Sequence, residues 1–121
     1  MLLTFMKSKI HRATVTEANV EYEGSIAIDP ALMRAADIRE YERVAVWNCS
    51  NGARLETYAI RGEEESGEIC VNGAAAHLCK PGDKVIIATW VQLTPEESDA
   101  FQARRVFCDG RNRIKPDPAA G

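Results

Sequence analysis

Positive charge is not in surplus in this chain. Fifteen Lys and Arg face 18 Asp and Glu, for a net charge of −3. Nothing is left over to neutralise a phosphate backbone, which argues against a nucleic-acid partner. Long apolar runs are also missing. The longest, over 85–91, falls far short of the roughly 20 residues that span a bilayer, so no membrane span is expected. The opening Met1-Leu2-Leu3-Thr4-Phe5-Met6 meets Lys7 and Lys9 too early for a signal peptide's apolar segment, and a cytoplasmic location is the default expectation. Cys49, Cys70, Cys79 and Cys108 contain no Cys-x-x-Cys pair and no zinc-type spacing. They are expected to be small reduced core or surface residues. With only His11 and His77 as histidines, no metal site is expected. There is no internal repeat, and 121 residues suffice for one domain.

What the chain does contain is a series of short β-type runs separated by turn residues. Strands are predicted over 2–6, 13–15, 25–28, 44–48, 54–60, 68–71, 84–91 and 106–108. Asn51-Gly52 predicts a two-residue hairpin turn with Cys49 facing Arg54 and Trp47 facing Glu56. Asn72-Gly73, Lys80-Pro81-Gly82-Asp83 and Asp109-Gly110 are further turns. Two helices start where a capping residue precedes proline, at Asp29-Pro30 and Thr94-Pro95. Thr94 and Glu97 have capping-box spacing. Glu63-Glu64-Glu65 reads as a solvated loop, and the tail over 115–121 has nothing to bury. Many short strands in so few residues predict a mainly β fold with short helices, closed or nearly closed into a barrel. Such a barrel would occupy 1–114, with a core small enough to gain from oligomerisation.

Three places carry residues capable of chemistry. Tyr22-Glu23-Gly24-Ser25 is ordinarily a turn entering a strand. It also permits the Ser25 hydroxyl to attack the Gly24 carbonyl, because glycine lacks Cβ and tolerates strain. The resulting ester would break by elimination, and hydrolysis would leave a pyruvoyl ketone at a new chain end. The hairpin after Trp47 puts Arg54, Tyr58 and Trp47 on one face, with Thr57 on the other. A hairpin with one wet face explains that pattern too, and on the pattern alone it is the favoured reading. Asn72-Gly73-Ala74-Ala75-Ala76-His77 is either a short helix or a close-packed turn, and its small side chains leave backbone N–H groups open to an anion.

Lys9-Ile10-His11-Arg12, Tyr22-Glu23-Gly24-Ser25, Trp47-Asn48, Asn51-Gly52, Arg54, Thr57-Tyr58-Ala59-Ile60, Val71-Asn72-Gly73-Ala74-Ala75-Ala76 and Gly82-Asp83 occur in this order. The set resembles the bacterial, pyruvoyl-dependent aspartate 1-decarboxylase family over roughly 3–91, with no departure at a functional position. The resemblance implies a six-stranded-type double-psi β-barrel. It implies self-cleavage between Gly24 and Ser25 into pieces 1–24 and 25–121, aided by Thr57 and Asn72. The cofactor would be a pyruvoyl group made from Ser25, with no metal and no pyridoxal phosphate. That group would form a Schiff base with L-aspartate and yield β-alanine for pantothenate and coenzyme A. Tyr58 would be the proton donor. Lys9, Arg54, Thr57, Gly73, Ala74 and Ala75 would contact substrate, and His11, Tyr22 and Trp47 would support the site. Family members are usually homotetramers with sites between subunits, and some need an acetyltransferase-like maturation partner. The competing readings are a non-catalytic ligand-binding barrel, a serine hydrolase using Ser25 and His11 but without a Gly-x-Ser-x-Gly elbow, and a pyruvoyl decarboxylase of another amino acid.

Overall fold

The structure is a computed structural model that describes residues 1–118. In chain order the elements are β1 (Leu3–Thr14), β2 (Glu17–Asn19), β3 (Ser25–Ile28), α1 (Pro30–Ala36), β4 (Arg43–Asn48), β5 (Arg54–Arg61) and β6 (Ile69–Asn72). A 3₁₀ turn (Gly73–His77), β7 (Lys84–Leu93), α2 (Pro95–Ala100), β8 (Arg104–Cys108) and β9 (Ile114–Lys115) follow. The mainly β fold with short helices is the one the turn spacing predicts. Among the described residues, no helix is long and apolar enough to cross a membrane.

The strands lie in the order β2-β6-β3-β5-β4-β7-β1-β8-β9. β2 and β1 sit on opposite sides of a run of five strands, yet only Val15 and Thr16 separate them in the chain. Val15 N–H donates to Asp83 O beside β7, and Thr16 N–H donates to Ile69 O on β6. The β1–β2 segment therefore closes the sheet into a barrel, which leaves no open edge there. Its interior is filled by branched side chains, among them Ile10, Val15, Ile26, Ile28, Val44, Val46, Ile69, Val71, Val85 and Ile87, all at most 1% exposed. Leu32, Met33 and Ala36 of α1 join the same core.

The expected strands 2–6 and 13–15 are the two ends of one strand. β1 carries irregularities against β7 between Met6 and Ser8 and between Ile10 and Ala13, the second with Arg12 at φ 59°. Each bulge shifts which side chains face inward, so Ile10 and Ala13 both reach the core although three apart. That shift erases the alternation a strand would otherwise show. The hairpin also differs from its prediction. Trp47 pairs with Arg54 and Ala45 with Glu56, leaving a four-residue loop, 49–52. A two-residue turn needs positive φ at both centres, but only Gly52 adopts it, at 80°. Asn48 holds the wider loop by accepting the N–H groups of Ser50 and Asn51 on its Oδ1. The register moves by two, so the faces stay as predicted.

Both capping devices are present. Asp29 Oδ1 accepts from Ala31 N–H, and Thr94 and Glu97 form a capping box. Asp29 also accepts from Glu65 N–H and Gly67 N–H, tying α1 to the loop after β5. Burial works to raise its carboxyl pKa, but the three N–H donors and the Arg113 charge hold it below the usual range. The tail begins later than expected. Lys115 pairs with Phe107 in β9, and Asp117 forms an ion pair with Arg105. The remainder of the expected mobile tail, 119–121, lies outside the described residues.

Candidate active site

Ser25 opens β3 and pairs with Asn72, the last residue of β6. Ile26 and Val71 point into the core, so Ser25, Ala27, Cys70 and Asn72 occupy the opposite face. The Ser25 side is nonetheless covered, at 1% exposed. Its Oγ accepts from Asn72 Nδ2 at 3.1 Å and donates to Glu23 O at 3.3 Å. Asn72 Oδ1 accepts in turn from Cys70 Sγ at 3.2 Å. Burial, and then the charges of Glu17 and Glu68, push the Cys70 thiol up to about 11. A cleft of about 390 Å³ lies alongside, lined in part by Tyr22, Ala27, Ile60, Cys70 and Asn72.

Gly73 begins the 3₁₀ turn at φ 71°. A Cβ added there would stand 2.6 Å from Gly24 Cα and 2.7 Å from Gly24 N. The alanine run is thus a short 3₁₀ turn whose first residue is pressed flush against the Gly24-Ser25 segment. Only glycine allows that approach. Ala74 is exposed and Ala75 half-buried, with Ala75 packed against the core.

β3 runs parallel to β5, with Ile26 level with Ala59. One step back along that register brings Tyr58 level with Ser25 and Thr57 level with Gly24. Ala59 faces the core, so Tyr58 shares the outer face with Ser25. Its ring centroid lies 6.2 Å from that of Tyr41. Thr57 pairs with the core residue Val44 and projects to the inner face, as the sequence predicts.

The other predicted residues gather elsewhere. The Arg54 guanidinium lies over the Trp47 ring at 4.5 Å, and Trp47 meets Trp90 at 6.1 Å. These three line an open cleft of about 620 Å³. Lys9 pairs with Ala88, which pairs with Ala45 beside Trp47's strand neighbours. Four residues of strand separate Arg54 from Tyr58, or about 13 Å. His11 is further off, packed on Phe107 with ring centroids 5.3 Å apart. Its buried Nδ1 has no hydrogen-bond partner among the described residues, and burial, then Lys9, Arg12 and Lys115, lower its pKa. His11 does not touch Ser25, whose hydroxyl is engaged by Asn72 and Glu23. A Ser25–His11 pair of the hydrolase kind is not assembled within the chain.

One member of the Ser25 group escaped the sequence reading. As one of four small reduced cysteines Cys70 has no role in the sequence, yet its two-residue spacing from Asn72 in a strand puts both on one face.

A chain with a serine buried behind a glycine, an amide on its hydroxyl and a phenol level with it in the sheet matches known proteins over most of its length. The sequence model of the family described as aspartate decarboxylase matches residues 1–115. The aspartate 1-decarboxylase of Myxococcus xanthus is 59% identical over 110 residues, covering 91% of this chain and 85% of that protein. That of Legionella pneumophila is 57% identical over 91% of this chain and 83% of its own. That of Clostridium botulinum is 53% identical over 95% and 91%. The chain belongs to the aspartate decarboxylase family.

Proposed function

We propose that this protein decarboxylates L-aspartate to β-alanine and CO₂, using a pyruvoyl group that it makes from Ser25 by cutting itself after Gly24. One observation carries the reading: the Ser25 hydroxyl is shut away from solvent and held by Asn72, while Gly73 lies so close to the preceding Gly24 that a Cβ there would meet its Cα at 2.6 Å.

Cleavage uses only the chain's own atoms and water. Ser25 Oγ bonds to the Gly24 carbonyl carbon, the C–N bond breaks, and the hydroxyl proton ends on the freed Ser25 nitrogen. An ester now links the two residues. Water then takes the Ser25 Cα proton, a Cα=Cβ bond forms, and Cβ–Oγ breaks, with Oγ leaving as part of the Gly24 carboxylate. Addition of water and loss of ammonia leave the ketone. Thr57, level with Gly24, assists the first step. Asn72 keeps Oγ in place through both.

The ketone supplies an electrophile for the substrate amine and a sink for the electrons released with CO₂. Tyr58 delivers a proton to the carbon that has lost CO₂, a role worth about 10²–10⁴ in rate for a placed acid. Arg54 and Lys9 grip the carboxylate that stays, because a cation on the departing one would favour the charged ground state. A charge-assisted hydrogen bond there contributes about 1.5–3 kcal/mol. The exposed Arg54 and Trp47 face reaches the Ser25 group of a neighbouring copy, in a homotetramer with sites between subunits. Gly73, Ala74 and Ala75 offer backbone N–H groups to substrate, and Tyr22 flanks the cleft. The product supplies pantothenate synthesis in the cytoplasm.

Intact-mass analysis with and without borohydride tests this. Fragments 1–24 and 25–121 are expected, the larger one gaining mass on reduction of its ketone, and Ser25→Ala should stay whole. A wild-type chain that remains uncut yet releases CO₂ from aspartate would overturn the reading.

A further inference from the structure

The Ser25 group contains one buried side chain without a task. Cys70 and Asn72 share a face of β6, opposite Ala27 and Ser25 of β3. Three hydrogen bonds run in series: Cys70 Sγ to Asn72 Oδ1, Asn72 Nδ2 to Ser25 Oγ, and Ser25 Oγ to Glu23 O. Cys70 is 6% exposed and Asn72 is 4% exposed, so water offers these atoms little alternative.

An asparagine amide carries a donor and an acceptor that trade places on a half-turn, and its neighbours decide which way it points. A thiol is a weak donor and a weak acceptor, and its proton needs an oxygen to meet. Facing a thiol, Asn72 turns Oδ1 to the sulfur and Nδ2 to Ser25. The reverse orientation sets N–H against S–H. The thiol keeps its proton at neutral pH, since burial and two nearby glutamates oppose ionisation. With an apolar side chain at position 70, Oδ1 would be buried without a partner. Either orientation would then leave one end of the amide unpartnered, and nothing would hold Nδ2 toward Ser25.

Which end meets Oγ matters in the second cleavage step. There Cβ–Oγ breaks and Oγ takes the electron pair into the Gly24 carboxylate. An N–H at Oγ bonds the charged oxygen more strongly than the neutral one, so it favours the transition state. A carbonyl oxygen in its place would repel the growing charge.

We propose that Cys70 is a positioning residue for self-cleavage: its thiol proton fixes the Asn72 amide with Nδ2 toward Ser25 Oγ, so that the ester breaks at Cβ–Oγ. The proposal rests on the self-cleavage reading above and assigns a device within it.

Full-length Cys70→Ser, Cys70→Ala and Cys70→Val chains, purified cold and followed by intact mass over time, test it. Cys70→Ser keeps a donor and should cut within about threefold of wild type. Cys70→Ala and Cys70→Val should cut about five- to tenfold more slowly, the loss of one hydrogen bond. They should also accumulate an uncut-mass ester that hydroxylamine severs between Gly24 and Ser25. Valine restores the volume without the donor, which separates hydrogen bonding from packing. Should Cys70→Val fail to fold by circular dichroism, the serine and alanine pair decides. Equal rates in all chains, or Cys70→Ser as slow as Cys70→Ala, would overturn the proposal while leaving self-cleavage intact. A wild-type chain that never cuts would instead remove the reading beneath it.

Discussion

Two faces of one barrel differ in how complete they are. Around Ser25 nearly every polar atom is partnered and covered, and the groups come from β3, β6 and the turn after it. Around Trp47 and Arg54 the cleft is open, and the cation rests on an indole face. On the proposed function, the first arrangement serves a reaction of the chain on itself, which needs no diffusing partner. On the same proposal, the second gains its role only when a neighbouring copy closes it. On the proposed function, cleavage belongs to the first face, and the selection of aspartate belongs to the second.

That division can be attacked by substitutions that should move one observable and spare the other. Tyr58→Phe carries the largest expected effect: chains cut normally, while kcat for β-alanine formation falls about 10²–10⁴-fold. If cleavage failed too, Tyr58 would belong to both reactions. Gly73→Ala attacks the covered face, because its Cβ would meet Gly24 at 2.6 Å with φ at 71°. Cleavage timed by intact mass should slow by roughly 100-fold, on the order of 3 kcal/mol. Gly52→Ala, also at positive φ but with nothing near its Cβ, should cost about 1 kcal/mol in a urea melt and leave cleavage unchanged. Arg54→Ala attacks the open face, with KM for aspartate rising roughly 10–100-fold and cleavage at the wild-type rate. Arg54→Lys with intact aspartate binding and a slower chemical step would show that Arg54 serves the leaving carboxylate instead.

The smallest effect concerns His11, which lies apart from Ser25. Its folded pKa is below the ordinary 6.5, so the unfolded chain binds the extra proton first. Stability should therefore fall as pH drops through about 6.5 and level off once the folded histidine is also charged. His11→Phe should flatten that slope in urea melts between pH 7 and 5 while wild type keeps it.

The capped helices were legible because a cap acts within one turn: Asp29-Pro30 and Thr94-x-x-Glu97 hold their signals locally. β3 was legible because Ser25–Ile28 is a short β-type run bounded by Gly24 and Asp29. β1 was not, since its two bulges reverse the inward face midway. β2 and β9, three and two residues long, give too little pattern to read, and they form because β6 and β8 offer them partners. In the site, Ser25 and Asn72 drew notice through their neighbours in the chain. That Cys70 meets the Asn72 amide required knowing that the amide turns toward it.

Chain order by itself determined the inventory: a mainly β chain, its capped helices, a serine after a glycine, and a glycine opening an alanine run. Tertiary structure alone decided that Gly73 presses on Gly24, that Asn72 donates to Ser25, and that Arg54 stacks on Trp47 about 13 Å along β5 from the residue level with Ser25. Those outcomes depend on strand register, which is set by packing the barrel interior across residues as distant in the chain as Ile10 and Val106, 96 positions apart. No local propensity reaches that far.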